Sequence, residues 1–245
     1  MHSELGDLQR QKQLVRENFT RQGIVSSDWA KGGKAAELLR RELCYQAADL
    51  VFVDPSPQMQ QVRINCLLDG KELIMPGPGL KEGFYRFLPN TIAFRDLSYA
   101  VTIKGLTKYA GKLSRADLAG LRISLLITGA LAADACGGRL GDGHGFFDLS
   151  HAIFAMSGTL KSDAKVVTLV SSEQIVADPL PRACWDVSAD MIFTEEKKYV
   201  PVDVPSPAGR IFWEYLDERK IRKITPLWWL WGEKREGFPT GKKSG

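Results

Sequence analysis

Ile123-Ser-Leu-Leu-Ile-Thr128 is the most strand-like run in the chain, and Gly129-Ala-Leu-Ala-Ala133 carries it into a glycine-rich loop. A short apolar run of this kind is how a strand reads when both of its faces are covered, as in a parallel sheet. Similar runs lie on either side: Asp49-Leu-Val-Phe-Val-Asp54, Glu72-Leu-Ile-Met75, Lys165-Val-Val-Thr-Leu-Val170 and Ala189-Asp-Met-Ile-Phe-Thr194. Helical stretches separate them. One is expected over 34–48, one from Gln58 to Asp69 before Gly70, and one from Asp148 to Ser157. An amphipathic helix is expected over 8–20, stopped near Gly23. Strands alternating with helices predict a single three-layer α/β/α domain with a mostly parallel central sheet. That domain is expected over 1–231, with a polar, basic, flexible tail over 232–245. Residues 211–220 read as a helix with Phe212, Tyr215 and Leu216 on one side, followed by Trp228, Trp229 and Trp231, and residues 88–121 keep neither period.

Composition narrows the function. The chain has 245 residues, 44% hydrophobic and 25% charged, with a net charge of only +4. These are globular values, and the charge is too small to argue for a nucleic-acid footprint. The four cysteines form no CxxC and no zinc spacing, so a reduced, cytoplasmic protein is expected. Early charges such as Glu4, Asp7 and Arg10 leave no signal-peptide core, and no apolar run reaches the roughly eighteen residues of a membrane span.

The stretch that carries chemistry is Gly138-Arg-Leu-Gly-Asp-Gly-His-Gly-Phe-Phe-Asp148, between the strand and a helix. Gly141, Gly143 and Gly145 permit positive φ and let main-chain amides approach a ligand. A helix N-terminus beside them favours an anion, and phosphate is the natural guest. The spacing is neither a P-loop nor a dinucleotide fingerprint, and a tight turn without a ligand is the alternative.

This loop resembles the RLGxGxGYYDR signature of 5-formyltetrahydrofolate cyclo-ligases. Lys12-Gln-Leu-Val-Arg16 is similar to that family's amino-terminal Lys-x-x-x-Arg, and Gly70-Lys-Glu-Leu-Ile-Met-Pro76 to its GKxxxxP strand. Asp186-Val-Ser-Ala-Asp-Met-Ile-Phe-Thr-Glu195 is similar to its late Asp-rich strand. Gly145-Phe-Phe-Asp-Leu-Ser-His-Ala152 and Pro207-Ala-Gly-Arg-Ile-Phe-Trp213 resemble the methenyltetrahydrofolate synthetase domain-containing branch. The resemblance implies ATP and Mg2+ as cofactors and a reduced folate, or a similar N-formyl compound, as substrate. It implies that Lys12, Arg16, Gly141, Gly143, His144, Gly145 and Phe146 hold the nucleotide. Arg139 and Asp148 would then be catalytic, and Asp148 and Asp190 would hold the metal. A homodimer is compatible with it, and neither membrane nor nucleic acid is expected as a partner.

The chain also departs from the pattern. Leu149 stands where the family has an arginine, Asp142 adds negative charge, and His144 replaces a small residue. A second reading is therefore a cyclo-ligase-like protein that binds nucleotide, phosphate or folate without closing a ring. Lys81-Glu-Gly-Phe-Tyr-Arg-Phe87 reads either as a surface for a pterin or adenine or as a loop packing its aromatics on the core. The tryptophans read either as a partner patch or as fasteners of the terminal segment. His144 and His151 read by default as loop and helix-surface residues.

Overall fold

The computed structural model describes residues 2–23 and 29–236. Its elements begin with α1 (His2–Arg21), α2 (Trp29–Arg40), α3 (Leu43–Gln46), β1 (Leu50–Val53), α4 (Gln60–Leu68) and β2 (Glu72–Pro76). There follow β3 (Phe84–Phe87), α5 (Leu97–Ala100), α6 (Leu106–Tyr109), β4 (Gly111–Lys112), α7 (Arg115–Gly120) and β5 (Ile123–Gly129). Next come β6 (Ala132–Asp134), β7 (Arg139–Leu140), α8 (Phe146–Met156), β8 (Leu160–Leu169) and β9 (Ile175–Val176). The chain closes with β10 (Met191–Phe193), β11 (Lys198–Tyr199), α9 (Glu218–Lys223) and α10 (Thr225–Glu236).

The main sheet has the order β11-β10-β8-β5-β1-β2-β3-β4. Its five central strands, β10 to β2, are parallel, and the edges are antiparallel. Period-two alternation divides the β1 side chains between two cores. Val51 and Val53 face α2, α3 and α4, whereas Leu50 and Phe52 face α8, α9 and α10. Phe52, Phe84 and Phe154 meet at ring distances of 4.4 to 6.1 Å and anchor the second core. The three-layer reading therefore holds.

Several local expectations are corrected. The helix over 34–48 is two helices. Arg40 and Tyr45 both reach the Asp69 carboxylate, which side chains five positions apart, about 140° on a straight helix, could not easily do. Residues 81–87 are not a loop: Phe84 to Phe87 form β3, with Phe84, Tyr85 and Phe87 buried. Residues 129–140 build a second small sheet, β7-β6-β9. Residues 211–220 are not one helix. Asp217, whose carboxylate accepts from the Arg219 amide at 2.6 Å, caps a new one, a start signal that the spacing of Phe212, Tyr215 and Leu216 concealed. Residues 88–121 resolve into α5, α6, β4 and α7. Trp229 and Trp231 pack on the second core while Trp228 stays exposed. Helix α10 continues through Gly232 to Glu236, and the rest of the basic tail lies outside the described residues. Among the described residues, no helix is long and apolar enough to cross a membrane.

Candidate functional site: a cleft at the carboxyl ends of the parallel strands

The carboxyl ends of β1 and β5 form the floor of a cleft of about 1040 Å³. Strand order departs in both directions from β1, which is where α/β sheets open a crevice. Asp54 ties the two strand ends together. One carboxylate oxygen accepts from the Ser56 amide at 2.8 Å, and the other from the Gly129 amide at 2.6 Å and the Thr128 hydroxyl at 2.5 Å. Beneath it lies Arg63, 2% exposed. Its guanidinium donates to the carbonyls of Asp54 (2.6 Å), Ser56 (2.9 Å) and Val101 (2.9 Å). Burial lowers its pKa to about 10, so it remains a cation at neutral pH and holds the floor rigid.

The glycine loop forms one wall. Gly143 has φ 98°, and Gly145 has φ 68° and caps α8. The Asp142 carboxylate accepts from the His144 amide at 2.9 Å, which closes the turn. Among the described residues the amides of Gly141, Gly143 and Gly145 meet no acceptor. Together with the first-turn amides of α8 they form a concentration of positive partial charge. Arg16, on α1, donates from Nε to the Gly141 carbonyl at 2.9 Å. From α9, Lys220 donates from Nζ to the His144 carbonyl at 3.0 Å.

Alternating charges line the adjoining wall. Lys12, 5% exposed, pairs with Asp186, and Arg139 pairs with Asp148. Asp186 also accepts from the Ala183 amide at 2.7 Å, and Asp148 from the Val187 amide at 2.9 Å. Burial pushes the Asp148 carboxyl up, and the Arg139 charge opposes that shift. The Arg139 guanidinium stacks 4.2 Å over the Phe147 ring, and its buried Nε has no hydrogen-bond partner.

The structure thus brings together Lys12, Arg16, Arg139, Gly141, Gly143, His144, Gly145, Phe146 and Asp148 around one cleft. His144 is exposed and stacks on Phe146, ring centres 5.4 Å apart. Asp190 does not line the cleft. Its carboxylate is taken by Lys165 at 3.3 Å and by the Val166 amide at 2.7 Å. The acidic residue beside Asp148 is instead Asp186, whose charge also helps raise the Asp148 pKa. Sequence reasoning missed an aromatic cluster lining the cleft, where Trp185 lies 4.6 Å from Tyr215 and 6.0 Å from Phe212. Arg210 stacks 4.0 Å over Phe212. No periodicity marks Trp185, and it meets Phe212 and Tyr215 only through tertiary folding.

His151 is not on the helix surface. It is 6% exposed, and burial, aided by Arg139, lowers its pKa to about 4. The unfolded imidazole, with a pKa near 6.5, takes up a proton first as pH falls, so stability is lost between about 6.5 and 4, by at most about 3 kcal/mol. Thermal melts at pH 7 and pH 5 should show the loss, and His151→Gln should flatten it. An equally steep slope in that variant would assign the acid sensitivity elsewhere.

A family model described as the 5-formyltetrahydrofolate cyclo-ligase family matches residues 9–195. The methenyltetrahydrofolate synthase domain-containing protein of Danio rerio is 29% identical over 200 residues, covering 76% of this chain and 51% of that protein. That of Homo sapiens is 29% identical over 181 residues, covering 72% and 46%. The chain spans about half the length of the curated relatives it matches. The NMR structure of Aquifex aeolicus 5,10-methenyltetrahydrofolate synthetase shares the fold, with a TM-score of 0.52 at 18% identity over 80% of this chain and 95% of that one. With the glycine loop, the paired cations and the parallel sheet all inside the matched region, the chain belongs to the 5-formyltetrahydrofolate cyclo-ligase family.

Proposed function

We propose that the cleft binds ATP, with the phosphates on residues 141–145, and acts as a 5-formyltetrahydrofolate cyclo-ligase. The observation that carries this reading is the seating of Arg16 against the loop. Its Nε holds the Gly141 carbonyl at 2.9 Å, while neighbouring glycine amides keep no internal acceptor. The unpartnered Nε of Arg139, deep in the same wall, is a second donor for an anion.

In the expected reaction the terminal phosphoryl group leaves ADP and bonds to the formyl oxygen. N10 then attacks the formyl carbon, and phosphate departs with that oxygen as the ring closes. The chain's own part is positioning and charge neutralisation. The amides of 141–145 and the first turn of α8 hold the phosphate chain, and Arg16 and Lys12 add cationic charge from α1. Trp185, Phe212 and Tyr215 offer flat faces to a heterocycle. A magnesium ion, when bound, neutralises phosphate charge. Asp148 and Asp186, the two carboxylates of the charged wall, do not fit it as they stand: each is already held by a cation, Arg139 and Lys12, and among the described residues no cluster of three or more His, Cys, Asp or Glu side chains could hold a metal ion. The four cysteines are free thiols, in keeping with a reducing, cytoplasmic setting.

A second reading, binding without ring closure, is favoured by Leu149. Its side chain packs against the second core at the cleft edge and offers no charge where the resemblance expects a cation. Mixing protein, Mg-ATP and 5-formyltetrahydrofolate decides between them. The methenyl chromophore rising with ADP supports ligation. Tight binding of ATP, phosphate or the folate with neither product supports the second reading, no binding of ATP overturns ligation, and binding of none of the three overturns both.

A further inference from the structure

The family match ends at residue 195, yet the cleft does not. Residues 210–230 fold back onto it, with Ile211, Ile221, Ile224 and Leu227 each at most 3% exposed in the second core. This is a built wall. It places Lys220 beside the glycine loop, Nζ 3.0 Å from the His144 carbonyl and 5.7 Å from the centre of the Phe146 ring.

Lys220 differs from the other cations of the cleft. Lys12 and Arg139 are paired with carboxylates, and Arg16 donates to the Gly141 carbonyl from α1. Among the described residues Lys220 has no carboxylate partner, and it is partly buried at the edge of the cleft. A partly buried ammonium held by one carbonyl and lying over the face of one ring has unspent donors and no carboxylate counter-charge. A phosphate oxygen at the free glycine amides would supply both.

Resting on the nucleotide reading, we infer that Lys220, from the segment beyond the family-matched region, is a phosphate-binding residue of the cleft. It closes on the phosphate chain from α9, as Arg16 does from α1. Its bond to the His144 carbonyl steadies the loop before binding, so that the terminal segment completes the site it covers.

The test is calorimetric titration of the full chain and of Lys220→Gln with ATP, adenosine and tripolyphosphate. Glutamine can still donate to the His144 carbonyl but carries no charge. The expected result is a loss of ten- to hundredfold in affinity for ATP and tripolyphosphate, unchanged affinity for adenosine, and recovery in Lys220→Arg. Equal ATP affinity in Lys220→Gln overturns the assignment and leaves Lys220 a structural strap. If the unaltered chain binds tripolyphosphate but not ATP, the nucleotide reading fails, and the variant's loss of tripolyphosphate still supports Lys220. If the unaltered chain binds neither, both fall. Matching melting curves confirm that the variants fold.

Discussion

Gly143→Val should abolish ATP binding, a loss of about a hundredfold or more in affinity, or at least about 2.7 kcal/mol. Two features of the loop set that size. Gly143 sits at φ 98°, where a β-branched side chain is strained by roughly 1–3 kcal/mol. A Cβ there would also stand 3.3 Å from the Arg16 guanidinium carbon. The Arg16 side chain can shift by the few tenths of an ångström that the contact requires, but the φ strain is relieved only by rotating the peptide, which turns the loop amides away from the ligand. Gly120→Ala is the control, because Gly120 ends α7 outside the cleft and a Cβ at that position meets no atom within 4 Å. It should bind ATP within about threefold of the unaltered chain, since surface changes away from special features stay within about 0.5 kcal/mol. Calorimetry reads both. Unchanged affinity in Gly143→Val would remove the loop from the site.

Asp134→Ala is expected to cost about 3–5 kcal/mol of folding stability, on the scale of breaking a buried charge pair. The carboxylate is buried, 1% exposed. It accepts from the amides of Cys136 (2.8 Å), Gly138 (2.8 Å) and Leu180 (2.7 Å), and from Arg182 Nη2 at 3.1 Å. Truncation strands three backbone amides and takes from Arg182 its carboxylate, leaving that half-buried guanidinium only the Cys136 carbonyl and the Ser188 hydroxyl. The fit is tight: a Cβ on Gly138 would come within 2.1 Å of Asp134 Oδ2. Because Arg139 opens β7 directly after this turn, the same change should loosen the Arg139–Asp148 pair. Urea unfolding should show a lower midpoint with an unchanged slope. A loss under about 1 kcal/mol would mean that water or a shifted backbone satisfies those donors.

The parts legible in the sequence are those set by local pattern. The runs at 49–54, 72–75 and 123–128 needed only their apolar continuity to be read as covered strands, and the sheet sets them side by side as β1, β2 and β5. The glycine loop was legible because glycine at positive φ and a helix start are both short-range signals, and Gly143 and Gly145 adopt that geometry. Lys12 and Arg16 came from resemblance. Their spacing alone also fits a solvated face. The β3 strand was missed because Gly-Phe-Tyr-Arg-Phe lacks clean alternation, its neighbours on both sides being covered. Asp186, Trp185 and Lys220 carried no local signal of a shared site.

By itself, then, the sequence determined the layers, the central strands and the turn that can receive an anion, because backbone propensity and hydrophobic period act over a few residues. The tertiary structure alone decided which charges oppose each other across the cleft. It joined Lys12 to Asp186, moved Asp190 out to Lys165, and swung the terminal segment over to set Lys220 against the loop. Pairings of that kind depend on distances between residues up to 174 positions apart in the chain. Electrostatic energy follows separation in space, and sequence spacing says nothing of that until the sheet has placed the ends of its strands.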